Sequence, residues 1–303
     1  MLAFSTCWNS SRHKSGADML QEILDMGFKK VELGHGVRLP LMPGILEMRE
    51  KGAVEITSLH NFCPLPVEIT RASPNCYEFS SHRSTDRERA VRLTKQTIDY
   101  AHRLGASKMV LHLGTVRTLK NSTSDLIKMT QEGKLYSREY VRQKLAMVKE
   151  RESKGAFYLQ RVEECLKPIL EYAQEKSVML GIECRDRYEE IPAEREIPAL
   201  LDRLGAMTGY WHDFGHAQIK HNLGFFNHKE WLSKMAPRLL GCHLHDVEWP
   251  NDDHRPPFTG EIDFEGFMRF LPKNTYFVLE MNPKRSRNDI LTAAERWNNL
   301  FGA

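Results

Sequence analysis

The sequence predicts a single closed (β/α)8 barrel, and three observations predict it. Eight short apolar runs recur along the chain, amphipathic helical stretches separate nearly all of them, and six consecutive runs carry His, Asp or Glu at or near their carboxyl ends. The runs are Leu2 to Thr6, Lys30 to Leu33, Glu55 to His60, Lys108 to His112, Val178 to Glu183, Gly209 to Asp213, Gly241 to Asp246 and Tyr276 to Met281. Each is short enough for a buried strand and is set off from the helical stretches by turn residues. Helical spacing follows over Ala17 to Met26, stopped by Gly27, and over Thr85 to Leu104, stopped by Gly105. It returns over Gly155 to Lys176, Ile197 to Leu204, His228 to Leu239, Asp263 to Leu271 and Ser286 to Phe301. Eight strand-helix units in 303 residues suit a closed barrel, and no Gly-x-Gly-x-x-Gly follows the first run to favour an open dinucleotide-binding sheet.

The composition agrees with one globular domain spanning residues 1–303. Lys plus Arg number 43 and Asp plus Glu 40, a net charge of +3, so no global basic field announces a nucleic-acid binder. Six scattered cysteines without a Cys-x-x-Cys pair read as reduced thiols, excluding a zinc ribbon or disulfide scaffold. No apolar run approaches the length of a membrane span, and Met1 to Lys14 lack a signal-peptide pattern, so a soluble, cytoplasmic protein with no membrane partner is expected. Two insertions, about 61–83 and 114–154, follow strands three and four, on the face where a barrel keeps its active site. The second is read as a pair of solvated helices, or else a lid or dimer arm. Its stretch Arg142 to Lys154 alternates basic and acidic residues as a solvated helix does.

Strands three to eight end in His60, His112, Glu183, Asp213, His243 and Glu280. These side chains converge on one volume at the top of a barrel, and several buried carboxylates need cations to neutralise them. Asp213-Phe214-Gly215-His216 predicts a tight turn that returns His216 beside Asp213. Asp252-Asp253-His254 predicts, by strand alternation, that Asp252 and His254 share an ion. His245 shares a face with His243 and can exchange roles with it, and Asp246 is a candidate orienting residue. His35 reads as a pocket-wall or surface residue, and Trp211 as core packing.

These motifs resemble the xylose isomerase-like TIM barrel superfamily, which holds sugar isomerases, epimerases and endonuclease IV. The pieces are Ser58-Leu59-His60, Val110-Leu111-His112, Gly181-Ile182-Glu183, Trp211 to His216, His243 to Asp246, Asp252 to Asp263 and Leu279-Glu280. The resemblance implies a four-ligand site of Glu183, Asp213, His243 and Glu280 as in the epimerases, with His216 beside it as ligand or substrate contact. It also implies a larger, three-zinc set of the endonuclease IV type that adds His60, His112, His216, Asp252 and His254. One to three divalent ions per chain follow, zinc for the histidine-rich set, manganese or cobalt for the smaller one. Three divalent ions against four carboxylates leave about +2, a charge suited to a phosphate or an ene-diolate, so two or three ions are expected at full loading.

The function this implies is a metal-dependent isomerase or epimerase of a sugar, sugar phosphate or polyol ketone, working by proton transfer through a metal-stabilised ene-diolate. Glu183 and Glu280 are the expected acid-base pair. Trp8 and Phe62 are read as sugar-stacking aromatics, with Arg185, His216, His245 and Arg255 as further substrate contacts and Arg187 as another candidate anion holder. The alternatives are an endonuclease IV-like phosphodiesterase at abasic DNA sites, a lyase or dehydratase of a keto-sugar, and a binding protein without turnover. The loops after strands two and three offer Arg38, the proline-rich run Asn61 to Pro66 and Arg71, a thin supply of groups for gripping DNA, which favours a small carbohydrate as partner. A homodimer is possible on the resemblance alone.

Overall fold

The structure, a computed structural model, describes residues 2–117 and 121–302. Met1, Ala303 and residues 118–120 of the expected second insertion lie outside the described residues. Eight parallel strands form a closed barrel: β1 (Leu2–Ser5), β2 (Lys30–Leu33), β3 (Glu55–His60), β4 (Lys108–Leu111), β5 (Met179–Glu183), β6 (Thr208–Asp213), β7 (Leu239–Leu244) and β8 (Phe277–Leu279). Each strand pairs with its neighbours in sequence, and β8 closes on β1 with Leu2 opposite Phe277. All eight predicted runs coincide with these strands to within two residues at either end.

Strand alternation divides the barrel's contents. One face of each strand packs outward on the helices in a large apolar shell that includes Phe4, Leu33, Leu59, Met109, Leu180 and Leu279. The other face fills the interior, where Ala3, Val110, Trp211, Tyr276 and Val278 make a separate small cluster. Trp211 is fully buried there, as expected. Its ring lies against Gly181 and Gly241, where a Cβ would collide with the indole. Two residues further along the same interior face, Val110 leads to His112, Gly181 to Glu183, Trp211 to Asp213, Gly241 to His243 and Val278 to Glu280. The apolar plug therefore forms the floor on which the polar strand ends stand.

The helices are α1 (Gly16–Leu24), α2 (Met42–Glu50), α3 (Ser84–Leu104), α4 (Thr123–Gln131), α5 (Arg138–Glu175), α6 (Ile197–Leu204), α7 (Phe214–Asn222), α8 (His228–Met235), α9 (Phe264–Met268) and α10 (Arg287–Phe301). Two of the sequence expectations are corrected. The second insertion does hold two helices, but they are only partly solvated and the second is not separate: after α4, the chain from Arg138 runs straight into the predicted Gly155 to Lys176 helix as one 38-residue element. Within it Arg151 is fully buried, held by Glu196 and by the Glu190 carbonyl oxygen 3.2 Å away. The turn after Asp213 is in fact helix α7, with Asp213 as its cap accepting the His216 backbone N–H at 2.7 Å. Two antiparallel ribbons, Gly114–Thr115 with Glu190–Ile191 and Asp246–Glu248 with Asp252–Arg255, rise above the strand ends. No helix among the described residues is long and apolar enough to cross a membrane.

Candidate metal centre

The interior strand ends converge. Glu183, Asp213, His243 and Glu280 each offer one atom within 4.8 Å of the others, and His60, His112 and Glu183 do the same. His243 Nδ1 lies 2.9 Å from Glu183 Oε1, 3.2 Å from Glu280 Oε2 and 3.7 Å from Asp213 Oδ2. Glu183 turns its second oxygen to His112 Nε2 at 2.6 Å and His60 Nε2 at 3.5 Å. A third set, His216, His245 and His254, adjoins this group on the side of the second ribbon. All of these side chains are buried except that of His254, which is partly open.

The outward nitrogens of three histidines are tied to acceptors. His60 Nδ1 donates to the Asn61 carbonyl at 2.9 Å, and His112 Nδ1 donates to Asn75 Oδ1 at 2.8 Å. Asn75 shows its oxygen to His112 because its amide nitrogen donates to Glu190 Oε1 at 3.3 Å. His243 Nε2 donates to Glu32 Oε1 at 3.1 Å. Each ring therefore aims its other nitrogen at Glu183, the orientation that a histidine ligand requires. Burial and the Arg185 charge push His112 well below its ordinary value, so this ring is neutral at neutral pH. Its Nε2 is buried without a hydrogen-bond partner although Glu183 Oε2 is 2.6 Å away. An ion held by both atoms would need them to part to about 3.3 Å, and the donor set of imidazoles and carboxylates suits zinc, manganese or cobalt.

Electrostatics support the same reading. Burial raises Glu183, but the histidines and Arg185 around it reverse this and hold it well below the usual carboxylate range. Burial likewise raises Asp213 and Glu280, while His216 and His245 pull the first well down and His243 and His254 the second. His243 is lowered by burial, yet Glu280, Glu32 and Glu183 bring it well above an ordinary imidazole. Arg185 sits 3.2 Å from Glu183, 3.3 Å from Glu190 and 3.1 Å from His216 Nδ1, which places it within this cluster.

Several expected residues are placed elsewhere. Trp8 is 3% exposed: its ring is covered by Phe4 and the Arg12 guanidinium, and Nε1 donates to the Arg285 carbonyl at 3.0 Å. Phe62 is 1% exposed and packs edge-on against Tyr77. Neither offers a face to a sugar. Asp252 has a 56% exposed side chain and pairs with Arg255 and Arg285 at 2.8 and 2.9 Å. Arg255 is occupied by Asp252 and Glu248 on the ribbon. The alternation argument for Asp252 fails because His254 has φ +50, which breaks the strand's two-residue repeat. It is Asp253 that joins His254, with Oδ1 3.1 Å from Nδ1.

His245 is a brace: Nδ1 accepts the His254 backbone N–H at 2.9 Å, and Nε2 reaches Asp213 at 3.0 Å. Asp246 accepts the backbone N–H groups of Val247, Gly260 and Ile262, fixing the loop that carries Asp253 and His254. The sequence reading missed Glu32, Asn75, Asp253 and Cys7, and it undervalued His35. Glu32 had a legible signal, a carboxylate between Val31 and Leu33 at an interior position of its strand. A cavity of about 490 Å3 opens beside the centre, lined by Cys7, His35, Arg38, His254 and Glu280 among others.

Fold and site together define a TIM barrel with a candidate metal centre at the carboxyl ends of its strands. The chain belongs to the xylose isomerase-like TIM barrel family, whose model matches residues 20–299. A curated relative, the uncharacterized protein y4fM of Sinorhizobium fredii, is 24% identical over 228 residues, 74% of this chain, and the match spans 61% of that protein's length. Among solved structures, a D-tagatose 3-epimerase-like protein is similar with TM-score 0.68 and 17% identity, covering 99% of this chain and 96% of that one. The 3-keto-D-glucoside 4-epimerase YcjR of E. coli is similar with TM-score 0.67 and 10% identity, covering 98% of each chain. A putative xylose isomerase from Rhodospirillum rubrum has TM-score 0.68 and 14% identity, with 97% of each covered. At these identities the likeness is one of fold.

Proposed function

We propose that this protein is a divalent-metal-dependent isomerase or epimerase of a small sugar, sugar phosphate or polyol ketone. The observation that carries the reading is the convergence of Glu183, Asp213, His243 and Glu280, one ligand atom of each within 4.8 Å of the others, at the focus of the strand ends. Glu183, Asp213, His243 and Glu280 would hold one cation, and His60 and His112 with Glu183 a second. A divalent cation supplies Lewis acidity that acidifies the C–H beside a substrate carbonyl.

The chain's own groups do the rest. Glu183 and Glu280 leave strands β5 and β8, three positions apart around the barrel, so they approach a substrate from different sides. One carboxylate takes the proton from carbon and the other returns it to the opposite face. Arg185, anchored by Glu183 and Glu190, presents its guanidinium beside His216, where both can hold substrate oxygens. Burial of the strand ends keeps water from competing for the proton.

The test begins with metal identity and stoichiometry by inductively coupled plasma mass spectrometry on protein purified without chelator. Incubation with aldoses, ketoses and inososes in D2O follows. At least one divalent ion per chain and deuterium at the carbon next to a carbonyl are expected, with exchange falling by about 10²–10⁴-fold in Glu183→Gln and Glu280→Gln. The trio His60, His112 and Glu183 also favours a second reading, a multi-zinc phosphodiesterase. Three zinc ions together with cleavage of an abasic-site duplex and no carbon exchange would replace the first reading by this one.

A further inference from the structure

We propose that Cys7, His35 and Glu280 form a further, thiolate-containing cation site for an ion of the zinc or cadmium class at the mouth of the barrel. The three side chains come from adjacent strand ends: Cys7 from the Thr6–Trp8 turn after β1, His35 from just beyond β2, and Glu280 from the end of β8. With them, every strand of the barrel contributes to the upper face. Cys7 Sγ lies 3.3 Å from Glu280 Oε1 and 3.8 Å from His35 Nδ1, and one ligand atom of each residue falls within 4.8 Å of the others. A tetrahedral zinc ion with its usual bonds to sulfur, nitrogen and oxygen separates such ligands by about 3.3–3.6 Å, so small rotamer adjustments close the set.

The backbone makes room for the sulfur. A Cβ on Gly34 would collide with Cys7 Sγ, so glycine at this position lets the β2 end pass close to the thiol. Glu280 is divided between two centres. Oε1 accepts the Cys7 S–H, while Oε2 faces His243 at 3.2 Å and His254 at 3.7 Å. The cation would take the place of the thiol proton, which leaves to solvent, and the fourth position would open onto the cavity that Cys7, His35 and Glu280 line together. Neither ligand set drawn from the strand-end carboxylates includes Cys7 or His35. The site thus goes beyond the proposed function and shares only Glu280 with it.

Cadmium titration of the intact, metal-free chain tests it. A thiolate-to-cadmium charge-transfer band in the ultraviolet should grow in and level off at the intensity of one thiolate per chain. Cys7→Ser should abolish the band, and His35→Ala should weaken the uptake that produces it by about tenfold or more. No band in the wild type, or an unchanged band in Cys7→Ser, overturns the proposal. Wild-type protein provides a check that needs no variant. Cadmium should shield Cys7 but not the partly exposed Cys76 from iodoacetamide, read by peptide mass spectrometry, and equal labelling of Cys7 with and without cadmium overturns the site. Cadmium uptake without the band sinks this site and leaves the carboxylate centre standing. The band without further uptake leaves this site standing and sinks the functional reading.

Discussion

His243 works as a ligand candidate because Glu32, one strand face below, accepts its Nε2–H and leaves Nδ1 to face Glu183, Asp213 and Glu280. Glu32 is itself fully buried, and its other oxygen accepts the Ser58 hydroxyl at 2.7 Å. Removing it frees the imidazole to carry its proton on Nδ1, pointed at the cation. Glu32→Ala should therefore lower zinc affinity by about 10–100-fold, and Glu32→Gln, which keeps an acceptor, by less. Competition with a chromophoric chelator measures both, and wild-type affinity in Glu32→Ala would refute the role. At this scale the chain was legible wherever strand alternation held. His60, His112, Glu183, Asp213, His243 and Glu280 fell where they were expected. Asp252 was misread in place of Asp253 because a single residue with positive φ shifts the face of its neighbours, and nothing in the letters Asp-Asp-His marks which residue turns.

Among the elements, α5 departs furthest from its sequence pattern. Its first half reads as a solvated surface by charge alternation, yet Arg151 is buried and paired with Glu196, just ahead of α6. Breaking a buried pair from one side leaves an uncompensated charge, so Arg151→Ala should destabilise the fold by about 3–5 kcal/mol. Arg151→Met, which keeps the apolar stem, does not restore the partner for Glu196 and should recover only part of the loss. Urea midpoints of the two variants check this, and a loss below about 1 kcal/mol for Arg151→Ala would place the pair with surface ion pairs instead. The helix length and the burial of one arginine in thirteen mixed residues were hidden because the partner lies 45 residues on, in a loop that no local period marks. Helix α7 was hidden for a different reason: Gly215 and the two histidines, His216 and His221, blur an amphipathic pattern in an element buried almost all round.

For the whole molecule, ring closure brings six strand ends from residues 60 to 280 to one point, so folding and ion binding are linked. A cation that binds only the folded barrel at about 100 times its dissociation constant adds about 2.7 kcal/mol. Chelator should therefore lower the thermal midpoint of the metal-loaded protein by several degrees, and added zinc or manganese should restore it. Scanning calorimetry with and without chelator reads the effect, and coincident midpoints would count against a resident ion. The barrel, its eight strands and the identity of six residues at its upper face were determined by the sequence itself, because period, glycine stops and interior polarity are local properties. Which nitrogen of each histidine faces inward, that Trp8 and Phe62 are walled off, and that Cys7 and His35 meet Glu280 were decided only by the tertiary structure. Those facts depend on acceptors and neighbours supplied by strands distant in sequence, and a chain read locally carries no record of which of them will stand side by side.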